Sequence, residues 1–389
     1  MEHDVDVVVI GAGIQGAGVA QAAAAAGYRV RVLEQTAIAA ATSCRSSKLI
    51  HGGLRYLESH QYALVHKTLR ERDRLLRLAP HLVQLVPFYI PVYPDTSRRP
   101  LHFWLGLLLY ALLGGLRRST RFHTLSRSHR QRLPIRQDRL QSVFQYQDGQ
   151  TDDVALTRAV MHSAQALGAE LICPALFSSA EAKTQGVHVA YQTANRIQRI
   201  YSRVLVNASG PWVNQVLGNI TPSVAGLTME LVQGTHIVLD NPAPAGVYYV
   251  EAPQDQRAVF VMPWHGKTLV GTTETVFKGD PARVTPQPAE IEYLRAVFRH
   301  YFPALSDQVT DSFAGLRVLP KLPGSLTARP RDTQLHPEPE RVLSLYGGKL
   351  TGYRATAEEV MQKLQPYLPP VQRKADTRSL RLLPASGDD

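Results

Sequence analysis

Three glycines near the N-terminus have the spacing of a phosphate-binding turn. Gly11, Gly13 and Gly16 form a Gly-x-Gly-x-x-Gly pattern, and Glu34 follows further along. The first glycine permits a tight turn, the second lets backbone approach a pyrophosphate, and the third lets the next helix pack closely. A carboxylate such as Glu34 can accept both hydroxyls of an adenosine ribose. These residues predict a dinucleotide site for NAD or FAD, with a glycine-rich turn of another α/β protein as the alternative.

The segments around these glycines support the prediction. Residues 7–10 are apolar and follow Asp6, residues 17–26 are rich in alanine, and in residues 29–33 two arginines alternate with valines and a leucine before Glu34. We interpret them as strand, helix and strand. The phosphates would lie at the helix N-terminus, because free N–H groups and the helix dipole favour an anion there.

Composition limits the classes of partner. The 389 residues carry a formal net charge of +11, which favours nucleic acid, an anionic membrane surface or anionic small molecules. Nucleic acid is excluded first, because no zinc-finger spacing, recognised motif or long basic block is present. Two cysteines, Cys44 and Cys173, argue against a disulfide framework and fit a reducing compartment. With no secretory signal before the first strand, we expect a cytoplasmic protein.

One apolar stretch, Phe103 to Leu116, allows two interpretations. It is shorter than the roughly 20 residues that a membrane-spanning helix needs. It predicts either a buried helix or a helix at a membrane surface, with Trp104 and Tyr110 at the headgroups. Arginines flank it on both sides, as the second interpretation requires: Arg98, Arg99, Arg117, Arg118 and Arg121.

Two kinds of pattern predict two sheets and an α/β fold. The N-terminal unit indicates a Rossmann-like domain, whereas short alternating segments between 231 and 271 indicate a second, mainly antiparallel sheet. Residues 86–92 contain two prolines and predict an edge strand. We predict a discontinuous cofactor domain and a substrate domain, with the following bounds: 1–80, 145–215 and 330–389 for the first; 81–144 and 216–329 for the second.

Further motifs follow one another along nearly the whole chain. They are Ala41 to Glu58, Asn207 to Trp212, Gln233 to Ile237, Gly271 to Glu274, Gly315 to Arg317 and Gly347 to Thr351. In these stretches the chain resembles the FAD-dependent glycerol-3-phosphate dehydrogenases and oxidases, within the wider superfamily of glycine, sarcosine and D-amino-acid oxidases. The run from Ser46 to Tyr56 is the most specific to that family.

The resemblance implies FAD as the cofactor. Glu34 would hold the adenosine ribose, and the turn at 347–351 would direct N–H groups to the pyrimidine end of the flavin, where positive potential stabilises a reduced flavin anion. The implied cofactor-binding residues are Gly11, Gly13, Gly16, Glu34, Thr42, Ser43, Ser47, Lys48, Leu49, His51, Gly210, Gly348, Lys349, Leu350 and Thr351.

The resemblance also implies oxidation of sn-glycerol 3-phosphate to dihydroxyacetone phosphate. Arg55, Arg317 and Arg331 would bind the phosphate, since forked guanidinium donors suit it. Lys349 would lie near flavin and substrate, so that Arg317 and Lys349 join the catalytic set. A base must take the C2 hydroxyl proton, and His51 and His236 are the candidates; a hydrogen-bonded structural histidine is the alternative for each.

By the same resemblance, electrons would pass to a quinone, with the protein peripheral on the cytoplasmic face of the inner membrane. Longer relatives continue into a helical C-terminal domain, and this chain stops soon after its last predicted helix. Three positions depart from the family pattern: Glu274 stands where Asp is usual, Val318 where Pro is usual, and Gln233 where Lys is usual.

The sequence leaves two other functions open. An amino-acid or 2-hydroxy-acid oxidase of the same superfamily would need one cation for a carboxylate, rather than a cluster for a phosphate. A catalytically silent flavin-binding protein would be yellow but would not be reduced by glycerol 3-phosphate.

Overall fold

The computed structural model describes residues 2–194, 196–242, 244–323 and 329–383. Its helices are α1 Ile14–Ala26, α2 Tyr62–Leu78, α3 Pro100–Leu113, α4 Arg127–Arg130, α5 Asp153–Ala166, α6 Val213–Leu217, α7 Pro288–Tyr301 and α8 Tyr353–Leu364. Its strands are β1 Val5–Ile10, β2 Val30–Leu33, β3 Leu49–Ile50, β4 Val83–Val92, β5 His123–Thr124, β6 Ser142–Thr151, β7 Glu170–Ile172, β8 Leu176–Lys183, β9 Gly186–Thr193, β10 Arg196–Asn207, β11 Ile220–Thr221, β12 Met229–Leu239, β13 Val247–Glu251, β14 Ala258–Trp264, β15 Lys267–Gly271, β16 Thr275–Val276, β17 Val309–Pro320, β18 Gln334–His336 and β19 Val342–Tyr346.

The first sheet has a parallel centre, in the order β7-β2-β1-β10-β19. The N-terminal half of β10 instead pairs antiparallel with β9, which continues the sheet to β8. Helix α1 is buried among this sheet, α5 and α8, because its alanines allow neighbouring elements to approach closely. Helix α5 begins where Asp152 accepts hydrogen bonds from Val154 N and Ala155 N, at 2.9 and 3.0 Å. The predicted Rossmann-like unit is thereby confirmed.

The second sheet is mainly antiparallel, also as predicted. Its order is β16-β12-β15-β14-β13-β4-β6-β3. Strands β15 and β16 pair with different parts of one edge of β12, and β17 pairs along the opposite edge. The pairing of β13 with β4 is parallel and the remaining pairings are antiparallel. The prediction that 86–92 is an edge strand is wrong, since β4 lies between β6 and β13. Its prolines are tolerated because β13 pairs with Phe88 and Tyr89 alone, between Pro87 and Pro91.

The domain bounds stay a prediction. The sheets divide the chain at somewhat different places, because β6 lies wholly in the second sheet and crosses our boundary at 144/145. Strand β11 in turn joins the first sheet through β8, although 216–329 was assigned to the other domain.

Helix α3 combines features of both interpretations of the apolar stretch. Phe103, Leu107 and Tyr110 are buried, whereas Trp104 and Leu105 on the other face are 42% and 50% exposed. Leu101, Leu112 and Leu116 are exposed as well. Within the described ranges, none of the helices has the length and apolar character that crossing a bilayer requires.

Candidate functional site

The site begins where β1 ends. Gly11 has a φ of +99°, and a Cβ there would lie 2.7 Å from the Ala208 carbonyl oxygen. A Cβ on Gly16 would lie 1.9 Å from the Gly11 carbonyl oxygen, so glycine is what allows α1 to pack on the turn. Glu34 accepts hydrogen bonds from Ala12 N at 2.8 Å and Thr36 N at 2.9 Å. Its carboxylate is thus fixed beside the turn, with further lone pairs for ribose hydroxyls.

A single cavity of about 550 Å³ extends from this turn towards the second sheet. It reaches from Glu34, past the N-terminus of α1, to Arg317 and Lys349. Most residues that we expected around the cofactor line it: Gly11, Gly13, Glu34, Thr42, Ser43, Ser47, Leu49, His51, Gly210, Gly348, Lys349, Leu350 and Thr351. The sequence therefore located both ends of one elongated cavity.

Lys48 is an exception, and its expected place beside the flavin is not where the structure puts it. Its Nζ donates to Asp153 Oδ1 and to the Cys44 carbonyl oxygen, both at 2.7 Å. The ammonium group is buried and lies over the rings of Trp264 and Phe313. Lys48 stabilises the loop that carries Ser47, because its buried ammonium group requires the Asp153 carboxylate as a partner.

His51 and His236 both line the cavity in a positively charged environment, and His236 is buried whereas His51 is partly buried. Burial lowers the pKa of His51 to about 3, and Lys349, Arg55 and Arg72 act in the same direction. Burial, Arg317 and Lys48 likewise hold the pKa of His236 well below its usual value. Each imidazole is therefore neutral at ordinary pH and keeps a lone pair that can accept a proton.

The partners of the two histidines differ. His236 Nε2 lies 2.9 Å from Ser47 Oγ, its ring stacks on Phe313, and its buried Nδ1 has no hydrogen-bond partner within the described part of the chain. His51 is fixed through its backbone, since His51 N donates to Thr351 Oγ1 at 3.2 Å. Gly234, two residues before His236, lies inside β12. A Cβ there would lie 2.5 Å from Arg317 Nη2, so this glycine makes room for the arginine.

The far end of the cavity is a cluster of arginines. Arg317 on β17 donates to Thr272 Oγ1 at 3.0 Å, and Arg331 lies just before β18. Arg55, Arg317 and Arg331 are brought together around one carboxylate, that of Glu274. Burial lowers the pKa of Arg317 to about 10; Glu274 opposes this shift, and Arg331 and Arg55 reinforce it.

Two residues that sequence reasoning missed complete this end. Lys349 Nζ lies 3.4 Å from the centroid of the Tyr56 ring, which itself lines the cavity. Burial lowers the pKa of Lys349, while Tyr56 opposes that shift. Arg257 contacts Glu274 from another side, 3.4 Å away. Neither Tyr56 nor Arg257 has a local pattern that distinguishes it from ordinary aromatic and basic residues.

Gln233 also has a structural explanation. Its Nε2 donates to the buried Glu290 at 2.6 Å, and Thr235, Thr273 and Thr275 donate hydroxyls to the same carboxylate. Although burial raises its pKa, these hydrogen bonds hold the pKa of Glu290 below its usual value. The network fixes the segment that carries Glu274 without a lysine at position 233.

The residues present fit FAD. The turn at 11–16 offers backbone N–H groups at a helix N-terminus for a pyrophosphate, and Glu34 offers acceptors for a ribose. At the other end, Gly347 and Gly348 have φ values of +72° and +111° and lead into the short helical turn Leu350–Gly352. Within the described ranges, no group of three or more histidine, cysteine and acidic side chains is arranged to hold a metal ion.

Comparison with known proteins agrees with this geometry. The model of the FAD dependent oxidoreductase family matches residues 6–356. The chain is 36% identical over 379 residues to an aerobic glycerol-3-phosphate dehydrogenase of Escherichia coli, covering 93% of this chain and 74% of that protein. It is 34% identical over 377 residues to a D-erythritol 1-phosphate dehydrogenase of Brucella abortus, covering 94% of this chain and 74% of that one.

A solved structure is similar along the same length. It is a glycerol-3-phosphate dehydrogenase from Bacillus halodurans complexed with FAD, with a TM-score of 0.77 and 27% identity, covering 97% of this chain and 67% of that one.

Proposed function

This chain belongs to the family of FAD-dependent oxidoreductases, and on that premise we propose that it oxidises sn-glycerol 3-phosphate to dihydroxyacetone phosphate. The observation that carries the proposal is the convergence of Arg55, Arg317 and Arg331 on Glu274, where Arg317 and Arg331 also line the end of the cofactor cavity. A carboxylate substrate needs one cation, whereas a phosphate dianion is matched by several forked donors.

Different residues of the protein bind the phosphate, take the proton and stabilise the developing charge. The arginines bind the phosphate and so orient the carbon chain towards the cavity. Bound FAD supplies the acceptor for the hydride that leaves C2. His51 or His236, both neutral, takes the proton of the C2 hydroxyl. Lys349 places a cation near the Tyr56 ring at the same end, where negative charge on a reduced flavin would be stabilised.

A substrate panel tests this proposal. With an artificial electron acceptor, we expect turnover of sn-glycerol 3-phosphate and none of glycerol, glycine or lactate at equal concentration. Inorganic phosphate and phosphoglycolate should inhibit competitively, because they occupy the arginine cluster. Turnover of an amino acid or a 2-hydroxy acid, without inhibition by phosphate, would exclude a phosphate ester as the substrate.

D-Erythritol 1-phosphate is the second candidate substrate. The relative that carries this activity in its name is 34% identical, nearly as similar as the glycerol-3-phosphate dehydrogenase at 36%. Both substrates carry a phosphate, so the arginine cluster does not distinguish them. The ratio of the two kcat/KM values decides the question, and we expect it to favour glycerol 3-phosphate.

We further propose that a quinone accepts the electrons and that α3 contacts the membrane. The apolar outer face of α3, with Leu101, Trp104 and Leu105, supports this proposal, as do the exposed arginines beside it: Arg99, Arg118 and Arg121. Binding to vesicles containing phosphatidylserine should exceed binding to phosphatidylcholine alone and should weaken in high salt. Leu105→Ser should reduce it more than Ile197→Ser, a control on β10 where the side chain is 70% exposed.

A further inference from the structure

Glu274 stands between two sets of arginines. Its Oε1 faces three of them, at 2.5 Å from Arg331, 3.7 Å from Arg55 and 3.8 Å from Arg317. Its Oε2 faces Arg257, at 3.4 Å. The Glu274 side chain is only 4% exposed, so both contacts are largely shielded from water. One carboxylate thus has a substrate side and a side that the proposed reaction does not use.

The charges in this cluster do not balance. Burial alone would raise the pKa of Glu274, but Arg331, Arg317, Arg55 and Arg257 hold it at about 2, so the carboxylate is ionised at any working pH. Four guanidinium groups contact one carboxylate, so these five side chains together carry a net positive charge. The cluster is therefore built to take a further anion while already holding one of its own.

From this geometry, and given the proposed phosphate-ester substrate, we infer that Glu274 is an internal competitor for the substrate phosphate. Its Oε1 occupies donors of Arg331 that a phosphate would use. Arg257 is a positioning residue, because it retains Oε2 on the far side and so limits how closely Glu274 holds the other three arginines.

This arrangement has a physical use in a catalytic cycle. Without an anion among them, three neighbouring guanidinium groups repel one another, and Glu274 keeps them together. A phosphate dianion carries more charge than one carboxylate and can accept from several forks at once, so it displaces Oε1. When product leaves, Oε1 returns to Arg331. The carboxylate therefore lowers affinity for phosphate and speeds release of the product.

The inference predicts opposite effects of two substitutions on anion affinity. The probe is inorganic phosphate, titrated calorimetrically into the flavin-loaded protein. Glu274→Gln should lower the Kd for phosphate about tenfold, since it removes a buried competing charge. Arg257→Gln should raise the Kd about threefold or more. With Oε2 no longer held by Arg257, the Glu274 carboxylate engages Arg331 and Arg317 more fully.

A double-mutant cycle tests whether Arg257 acts through Glu274. In the Glu274→Gln background, Arg257→Gln should lose at least half of its effect on log Kd, and Arg257→Lys should restore most of the affinity. Glu292→Gln on α7, whose carboxylate pairs with Arg295 and Arg299 on the surface, is the matched control and should leave the Kd unchanged.

Kinetics supply a second readout. Glu274→Gln should lower KM and also lower kcat, because the product phosphate is held longer. If this variant retains no flavin, Glu274→Asp takes its place, and its shorter side chain should also tighten phosphate binding relative to the native protein. Weaker phosphate binding in either variant, or strictly additive effects of the two substitutions, would overturn the inference. Failure of the proposed function is a separate result: the native protein would neither bind phosphate nor oxidise glycerol 3-phosphate.

Discussion

The two ends of the cavity are built in different ways. At the turn end, Gly11, Gly16 and Glu34 lie close together in the sequence, and backbone N–H groups with one carboxylate form the site. At the arginine end, the charged groups come from separate segments that the second sheet brings together. We propose that the first end binds the FAD shared by the family and that the second end, acting separately, selects the substrate.

Removing a charge at the arginine end should have the largest effect. We expect Arg317→Met to lower kcat/KM for glycerol 3-phosphate about a hundredfold, since losing one partner from a buried charged contact costs about 3 kcal/mol. Flavin content should not change, because the turn end is intact. Arg317→Lys, which keeps the charge and loses the fork, should recover part of the loss.

Loss of flavin from Arg317→Met with normal affinity for substrate would contradict the separation of the two ends. Flavin absorbance per protein and steady-state kinetics measure both quantities on one sample.

A change at the turn end should affect the cofactor instead. Gly16→Ala would place a Cβ 1.9 Å from the Gly11 carbonyl oxygen, so α1 must shift away from β1. We expect the Kd for FAD to rise between about fivefold and about a hundredfold, because overpacking of this kind costs about 1–3 kcal/mol. Fluorescence titration of FAD into the apoprotein measures it.

Gly106→Ala is the matched control for Gly16→Ala, since a Cβ on that residue of α3 meets no atom within 4 Å among the described residues. It should leave the Kd for FAD unchanged and stabilise the protein slightly, because alanine favours helix over glycine by about 1 kcal/mol. Equal effects of the two substitutions would show that the turn does not depend on close packing.

The smallest effect should be that of pH on the histidines between the two ends. Burial lowers the pKa of His51 to about 3 and that of His236 well below 6.5, so both stay neutral as the pH falls. At saturating substrate, the rate of flavin reduction should change less than about twofold between pH 8 and pH 5. A decline to half near pH 6.5 would indicate a histidine with an ordinary pKa.

Stability should show the opposite sensitivity. Below about pH 6.5 the unfolded chain binds protons on these histidines, and the folded chain does not. Their contribution to stability is therefore complete above pH 6.5 and is lost progressively as the pH falls towards 3. Thermal melting points of the flavin-loaded protein measured across this range check the sign.

What the sequence predicted follows the same division. The turn, α1, β2 and Glu34 were located correctly, because the pattern is local and each residue has its own physical reason. Arg55, Arg317 and Arg331 were identified through a family resemblance, since nothing in their immediate neighbours marks an arginine as a ligand.

The errors arose from contacts distant in sequence. Through the family resemblance we expected Lys48 beside the flavin; its side-chain amine pairs with Asp153, more than a hundred residues away, which the sequence does not show. Arg257 was not considered, because only the fold brings it to Glu274. The prolines of β4 were taken to indicate an edge, because the short extent of the β13 pairing was not visible in the sequence.

Anaerobic reduction of the flavin tests the central claim most directly, because it requires both ends of the cavity at once. Mixed with sn-glycerol 3-phosphate well below its KM in the absence of oxygen, the yellow native protein should lose its colour, and Arg317→Met should lose it about a hundredfold more slowly at the same substrate concentration. A native protein that holds its flavin and stays yellow would contradict the account.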